Sequence, residues 1–372
     1  MVIAKLDITM DDILAICLVV FSASCLCGFV SIPVVQRFCR RRGLYDAINE
    51  RKLHTTQVPR LGGVVFIPSM LAAVSLTLPV FGMLSGRHGI SVSLWTGMFL
   101  VSIAVVYIVG IVDDIAGLSA RVKLLAQVCA AALMPASGLY INNLYGLFGV
   151  GAVPFAVGAP LTVFAIVFVV NAVNLIDGID GLAGSLAVLA LAGFFKLFWD
   201  DGVFVYCALI AGLLGVLSPY LYYNMSAGKY KIFMGDSGSL SLGFILGFLS
   251  VKYSMYNPGV MPYHGHGLIA PFSLLAVPVM DVVRVSLWRL SHGRPVFGAD
   301  KNHIHHRLMA AGLTQHGALA AILSLAVALA VVNTVAYGAM GAGWTAALDI
   351  AVYTLFHIVV SAAPSKAKEG GK

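Results

Sequence analysis

The stretch VYIVGIVDDIAG, residues 106–117, drives an unbroken apolar run into two adjacent aspartates, Asp113 and Asp114. Its apolar half completes a segment, 93–112, that has the ~20 residues needed to cross the hydrocarbon core of a bilayer. The same pattern recurs on both sides of it. Of 372 residues, 60% are hydrophobic and only 10% charged, too few charges to cover the surface of a soluble fold. Apolar runs at 12–34, 62–83, 93–112, 122–143, 155–174, 181–198, 203–222, 238–251, 267–286, 317–336 and 343–363 predict an all-α integral membrane protein. The expected architecture is a polytopic bundle of about eleven transmembrane helices, in which 238–251 is short for a span and 147–174 is long.

Asp7, Asp11 and Asp12 precede the first run, with Lys5 the one base before it, and Arg37, Arg40, Arg41 and Arg42 follow it. That order predicts an uncleaved first helix with its N-terminus outside rather than a cleaved signal peptide. Threading onward places loops 35–61, 113–121, 175–180, 223–237 and 287–316, and the C-terminal tail, on the cytoplasmic side. Of the twenty-three Lys and Arg residues, all but Lys5, Arg87, Lys196 and Lys252 fall there or at the adjoining helix ends. The net charge of +7 is therefore an orientation signal. No basic stripe is interleaved with aromatics, so nucleic acid is not an expected partner, whereas an anionic substrate is compatible. The six cysteines lie mostly inside spans without CxxC pairs and read as small packing residues, not as a disulfide framework or a zinc site. With no fixed-period repeat and no stretch long enough for a soluble module, residues 1–372 read as a single polytopic domain, with a flexible tail at about 364–372.

A lone aspartate pair merely marks where lipid ends and water begins. Four further polar clusters, however, occupy ends that the topology places on the same face. In NAVNLIDGIDG, 171–181, Asn171, Asn174, Asp177 and Asp180 recur every third residue, which on a helix lines one ridge. Such groups face into the bundle because leaving them in lipid is costly, and Gly178 and Gly181 allow a bend or a close approach. In YKIFMGDSGSLSLG, 230–243, Asp236 and Ser237 read equally as a helix N-cap or as a turn presenting free backbone N–H groups to a phosphate. RPVFGADKNHIHHR, 294–307, gathers His303, His305, His306 and Arg307 in five residues. A cationic claw for phosphate oxygens fits this mixture better than zinc, since HExxH spacing and a Cys partner are lacking and nearby Arg and Lys repel a cation. DAINERKLHTTQVPRLGG, 46–63, adds Arg51, Lys52, His54 and Arg60 ahead of a glycine pair, partly as plain positive-inside charge. Together these clusters place five carboxylates beside Arg, Lys and His on one membrane face, the requirement for holding Mg²⁺ and a pyrophosphate.

VDD at 112–114, NAVNLIDGIDGL at 171–182, FMGDSGSL at 233–240 and DKNHIHHRL at 300–308 resemble, in this order, the motifs of the polyprenyl-phosphate N-acetylhexosamine-1-phosphate transferases. These are integral membrane enzymes that begin bacterial glycan assembly. ERKLHTTQVPRLGG looks like their N-terminal loop, so the resemblance covers nearly the whole chain. It implies attack by undecaprenyl phosphate on the β-phosphate of a UDP-N-acetylhexosamine, releasing UMP, by a multi-pass protein of the bacterial cytoplasmic (inner) membrane. It also implies that Asp236 and Asn174 bind Mg²⁺, with Mn²⁺ as a substitute. Asp113 and Asp114 would act on the lipid phosphate, Asp113 either by deprotonating it or by organising the metal and Lys123. Asp180 and Phe233 match positions that hydrogen bond to and stack on uracil. His303, His305, His306 and Arg307 match the loop that contacts the sugar diphosphate, and Asp177 fits the inner carboxylate cluster. Asn171, Lys52 and His54 complete the implied substrate-binding set, and a homodimer is compatible with it.

The form HIHHRL resembles the branch that uses UDP-N-acetylglucosamine for O-antigen, enterobacterial common antigen or teichoic-acid linkage units. Muramyl-pentapeptide transferases usually show an HHH run followed by an acidic residue, and relatives using another UDP-N-acetylhexosamine stay open. The competing class, an ion-coupled transporter, would place its polar groups near the bilayer midplane within inverted repeats. Here they gather at one set of helix ends, which a purely structural scaffold would have no reason to do.

Overall fold

A computed structural model describes residues 9–45, 57–84, 94–259, 261–295 and 302–362 of the chain. Among them run twelve α-helices: α1 (Met10–Arg42), α2 (Phe66–Leu84), α3 (Leu94–Ala116), α4 (Ala120–Ala136), α5 (Phe155–Ile176), α6 (Leu182–Asp200), α7 (Phe204–Asn224), α8 (Gly235–Ser254), α9 (Ile269–Leu274), α10 (Ala276–Ser291), α11 (Ile304–Ala310) and α12 (Gln315–Ala362). β-Type pairing among the described residues is limited to three isolated bridges, Tyr45 with Pro59, Asn143 with Ala152 and Asn257 with Met261. An all-helical solution suits the continuous apolar runs, because a helix crossing hydrocarbon satisfies its backbone polar groups within the segment, whereas barrel strands would alternate in polarity. Seven stretches among the described residues are long and apolar enough to cross: α1, Gly62–Pro79, α3, α5, α6, α7 and α12. Leu26, Leu76, Phe164 and Trp344 are among the large apolar side chains left on the outer surface, where lipid is the natural solvent.

The expected and observed boundaries differ where local chemistry intervenes. The segment expected at 122–143 stops at Ala136, after Pro135 and before Gly138 with its φ of +88°. The segment expected at 267–286 divides at Leu275 into α9 and α10. A straight α12 of 48 residues would be about 72 Å long, more than twice the ~30 Å hydrocarbon core. Instead the chain breaks at Gly341 (φ 74°, ψ 174°) and folds back, so that Asn333 Nδ2 donates to Asp349 Oδ2 at 2.8 Å. In an unbroken helix those two residues would stand about 24 Å apart.

The short run 238–251 lies in α8, and its modest hydrophobicity has a packing cause. Nearly every residue from Ser237 to Ser254 is buried, with α3 and α5 packed against the helix. Small residues let the backbones meet: a Cβ on Gly243 would stand 2.6 Å from Val170 Cα in α5, and one on Gly110 of α3 would stand 2.5 Å from Ser237 Cα. A helix enclosed by protein needs no apolar surface, and small side chains permit the close approach. α3, α5 and α7 end, and α4, α6 and α8 begin, at one end of this bundle, joined there by hydrogen bonds through Asp113, Lys123, Asn174, Asp236 and Asn224.

Candidate active site

Asp113 and Asp114 are neighbours that face different partners. Asp114 is 5% exposed and turns into the bundle, where its Oδ1 accepts the backbone N–H of Asp236 (2.8 Å) and its Oδ2 that of Ser237 (2.9 Å). These are first-turn donors of α8, whose own N-cap residue, Met234, supplies no side-chain acceptor. The expectation that Asp236 or Ser237 caps α8 is thus corrected: the cap comes from α3, and it occupies N–H groups that the sequence reading offered to a phosphate. Gly235 makes the arrangement possible, since it has φ +73° and a Cβ there would stand 2.6 Å from Asp114 Oδ2. Asp113 faces the other way. Its Oδ1 accepts the Leu118 N–H (2.5 Å), which tightens the α3–α4 turn, and its Oδ2 pairs with Lys123 Nζ at 2.9 Å.

Lys123 Nζ also pairs with Asp236 Oδ2 at 2.8 Å, so one ammonium bridges two carboxylates. On the far side of Asp236, Asn174 Nδ2 donates to Asp236 Oδ1 (3.0 Å) and to Ser239 Oγ (2.8 Å). About a quarter of the Lys123 and Asp236 side-chain surface stays open to solvent. The donors gathered here are two carboxylates and a carboxamide, hard oxygens of the kind Mg²⁺ takes while it keeps other positions for water and phosphate. A half-turn of the Asn174 amide exchanges its nitrogen for its oxygen. Asp236 and Asn174, with Asp113 beside them, therefore fit a hard divalent cation. No cage of three or more His, Cys, Asp or Glu side chains occurs among the described residues.

The ridge expected from Asn171 to Asp180 is only half helical. α5 ends at Ile176, Asp177 sits at its C-cap with φ −73° and ψ 62°, and Asp180 lies in the following turn, which closes at Gly181 with φ +77°. Glycine at 178 and 181 releases the chain before a second helical turn of polar groups can form. Asn171 donates to Gln127 Oε1 (2.7 Å), one turn deeper than Asn174. Asp180 is ion-paired through Oδ2 to Lys231, whose Nζ stands 5.5 Å from the centre of the Phe233 ring. Asn224, 4% exposed, ties these pieces together by accepting the Gly181 N–H (2.6 Å) and donating to Ile232 O (2.9 Å). From the other side, Gly62 and Gly63 donate backbone N–H groups to Phe233 O and Met234 O at 2.8 and 2.7 Å.

The histidine motif is anchored by Asp281 of α10, which is fully buried. Asp281 Oδ2 lies 2.7 Å from His303 Nδ1, while Oδ1 accepts from the Ile304 N–H (3.0 Å), Arg284 Nη2 (2.9 Å) and Tyr353 Oη (3.3 Å). The His305 ring stands between those of His303 and His306, at centroid distances of 6.1 and 4.2 Å. Burial first, then the neighbouring His306 and His303, pull the His305 pKa down to about 3, so this imidazole is neutral. A Cβ on Gly178 would lie 2.1 Å from His305 Nε2, which places the DGIDG turn directly against the motif. Arg307 reaches His357 Nδ1 (3.3 Å) and Ser361 Oγ at the end of α12. Lys52 and His54 lie outside the described residues, as does the tail at 364–372.

Residues 95–254, which hold every element from the VDD motif to the end of α8, match the family described as glycosyl transferase family 4. An undecaprenyl-phosphate alpha-N-acetylglucosaminyl 1-phosphate transferase of Escherichia coli K12 is 30% identical over 311 residues, 81% of this chain and 78% of the relative. The chain belongs to glycosyl transferase family 4. A protein of the same name from Salmonella typhi is 32% identical over 313 residues, 82% of this chain and 80% of the relative. A probable undecaprenyl-phosphate N-acetylglucosaminyl 1-phosphate transferase of Bacillus subtilis 168 is 28% identical over the same shares. The family resemblance read from the four motifs is borne out, and these relatives carry the name of the branch to which HIHHRL pointed.

In this family 4 chain the sequence reading overlooked four residues that the fold brings to the site: Lys231, Asn224, Gln127 and Asp281. Asp281 carried a usable signal, being an isolated carboxylate in an apolar segment, where an ionisable group usually has a partner and a purpose. Lys231 stands two residues before Phe233 in a quoted motif, hidden among positive-inside charges. Gln127 and Asn224 are single polar residues in apolar runs, and only their contacts reveal their roles.

Proposed function

We propose that this chain transfers N-acetylglucosamine 1-phosphate from UDP-N-acetylglucosamine to undecaprenyl phosphate, releasing UMP and forming the lipid-linked sugar diphosphate that starts a cell-envelope glycan. The observation that carries the reading is the meeting of two unlike groups of residues at one end of membrane-length helices. Asp113, Lys123, Asp236 and Asn174 form a charged cluster suited to phosphates, while Asp180, Lys231 and Phe233 join hydrogen-bonding groups to an aromatic face. The names of the similar proteins supply the lipid and the sugar. A site at the inner face of the bacterial cytoplasmic membrane is where a lipid entering sideways meets a nucleotide arriving from the cytoplasm. Counting α12 as two crossings, and adding α4, α8 and the α9–α10 pair, gives the eleven spans of the proposed bundle, whose outside N-terminus rests on the distribution of Lys and Arg.

The reaction forms a bond between a lipid phosphate oxygen and the sugar-bearing phosphorus, and it breaks the bond from that phosphorus to the oxygen bridging to UMP. The electron pair leaves with UMP. A phosphate monoester has a second pKa of ~6, so the attacking group carries little proton to remove. Asp113 takes that remaining proton and keeps Lys123 aimed at the reacting phosphates. Lys123 offsets charge on two anions that otherwise repel. Asp236 and Asn174 hold Mg²⁺, with Mn²⁺ as its substitute, which supplies Lewis-acid neutralisation of the diphosphate. His303, fixed through Nδ1 by Asp281, directs its other ring nitrogen toward the sugar diphosphate, and Arg307 and His306 line the same loop. Asp180 and Phe233 hold the base. Asp177 and Asn171 line the inner wall, and Lys52 and His54 contribute from the N-terminal loop.

The test is UMP release by the detergent-purified chain with undecaprenyl phosphate and Mg²⁺, offered UDP-N-acetylglucosamine, UDP-N-acetylgalactosamine and UDP-N-acetylmuramoyl-pentapeptide in separate reactions. The expected result is lipid-dependent and Mg²⁺-dependent UMP from the first alone. UMP from the pentapeptide donor would move the chain to the muramyl branch, and no UMP from any donor would overturn the reading.

A further inference from the structure

The ion pair between Lys231 and Asp180 is more than a structural tie. Both side chains keep about a fifth of their surface exposed, and the pair stands beside an aromatic ring with Nζ 5.5 Å from its centre. The Asp180 backbone is fixed through the Gly181 N–H to Asn224, and the Lys231–Phe233 segment through Ile232 O to the same Asn224 and through Phe233 O to Gly62. The acceptor and the donor are thus held in register by a buried asparagine and a backbone pairing.

We propose that Lys231 is a specificity-determining residue that reads the uracil ring, its ammonium donating to carbonyl O4 while Asp180 accepts the N3–H and Phe233 stacks on the face. This rests on the assignment of a UDP-sugar as donor. Uracil presents a donor, N3–H, flanked by two carbonyl acceptors. Cytosine presents at the matching places an acceptor, N3, and a donor, the 4-amino group. A carboxylate next to an ammonium complements the first pattern and opposes both groups of the second. An ammonium has three N–H donors, so Lys231 can hold Asp180 Oδ2 with one and engage a carbonyl with another. Asp180 alone would leave discrimination to a single hydrogen bond. The pair rejects the wrong base twice, because it leaves a buried polar group facing its like on each partner.

The experiment is calorimetric binding of UMP and of CMP, in Mg²⁺, to the full detergent-purified chain and to its Lys231→Met and Lys231→Arg variants. Methionine keeps the stem against Phe233 and removes the charge. UMP binding to Lys231→Met is expected to weaken about 10- to 100-fold, as for a lost hydrogen bond to a charged group, while CMP binding changes much less, so the UMP preference collapses. Lys231→Arg keeps UMP within a few-fold of wild type and shows that the position tolerates change. The KM for undecaprenyl phosphate should match wild type, and Lys231→Met should still unfold in one cooperative transition, at a lower midpoint because Asp180 loses its partner, which separates base reading from loss of fold. Equal weakening of UMP and CMP would reduce Lys231 to general phosphate attraction and overturn the proposal, as would unchanged UMP binding. Wild-type protein that binds neither nucleotide would instead remove the UDP-sugar assignment itself.

Discussion

Replacing Asp114 with asparagine should expose a division of labour within the VDD motif. Both carboxylate oxygens of Asp114 accept first-turn N–H groups of α8, at 2.8 and 2.9 Å, and the side chain is buried. The amide keeps one acceptor and turns an NH₂ donor toward the other backbone N–H. Losing a hydrogen bond to a charged group costs about 1.5–3 kcal/mol, and leaving two buried donors opposed adds about 1–3 kcal/mol. The variant should therefore be less stable by about 3–5 kcal/mol. Its activity should fall indirectly, because the Asp236 backbone hangs on one of those two bonds. Asp113→Asn differs. Its amide oxygen still accepts the Leu118 N–H, and Lys123 keeps its second carboxylate partner, Asp236, so stability should fall less than in Asp114→Asn while turnover drops. Unfolding of the detergent-purified proteins by denaturant, followed by tryptophan fluorescence, measures the first quantity and UMP release the second. If Asp114→Asn unfolds like Asp113→Asn and loses turnover to the same degree, Asp114 acts on substrate and the anchoring argument is wrong.

Three further outcomes follow from the same geometry. His305 is held neutral with a pKa of about 3, against about 6.5 for a free imidazole. Between those values the unfolded chain binds the extra proton, so stability is full above about pH 6.5 and declines as pH falls toward 3. His305→Gln should flatten that acid limb in unfolding measured at about pH 4–7, and an unchanged slope would mean that the imidazole is not buried neutral. Asp236→Asn should raise the Mg²⁺ concentration needed for half-maximal UMP release and lower the maximum without lowering the unfolding midpoint. A normal Mg²⁺ response would remove Asp236 from the metal assignment. Gly63→Ala places a methyl 2.1 Å from Gly238 Cα and 2.3 Å from its nitrogen, a clash with backbone that no rotamer relieves. This substitution should lower the unfolding midpoint by several degrees, and a wild-type midpoint would show that the loop and α8 do not pack as described.

The sequence made the membrane-length helices legible because lipid imposes one rule, apolar length, that survives without tertiary knowledge. α8 shows where that rule stops. Its surroundings are other helices, so its sequence need satisfy only close packing, and Gly238, Gly243 and Gly247 record this more clearly than its hydrophobicity does. The site was legible as a list of polar residues in the wrong place, and that list brought Asp113, Asn174 and Asp236 into view, with Lys123 added by the family resemblance. Spacing could not reveal the partner each would take. Asp113 and Asp114 are adjacent and chemically identical, yet one faces Lys123, ten positions on, and the other the end of α8, more than a hundred positions on. The three-residue rhythm from Asn171 to Asp180 suggested a continuous helix because periodicity is silent about glycine at 178. Asn224 escaped because its work is to hold other residues, and such work has no local pattern, whereas Asp281 left a local sign, a carboxylate alone in an apolar segment, that went unread.

One consequence concerns charge balance at the proposed site. A helix N-terminus is a natural anion site, and α8 points its own into the cluster. Asp114 already takes the Asp236 and Ser237 N–H groups there, so this helix end has little left to give a phosphate. Counted at their ordinary charges, Asp113, Asp114 and Asp236 outweigh Lys123, and the cluster is negative before either substrate arrives. A lipid phosphate and a sugar diphosphate would add several more negative charges in a space where screening by salt is weak. Arg307 and Lys52, from the loops assigned to the diphosphate, join Lys123 in bringing the protein's side only to about neutral, since Lys231 is paired with Asp180. The reaction as proposed therefore requires a divalent cation for binding as well as for turnover. Chelation with EDTA should weaken UDP-N-acetylglucosamine binding itself, by at least tenfold in calorimetry, and undiminished affinity in its presence would show that protein cations suffice.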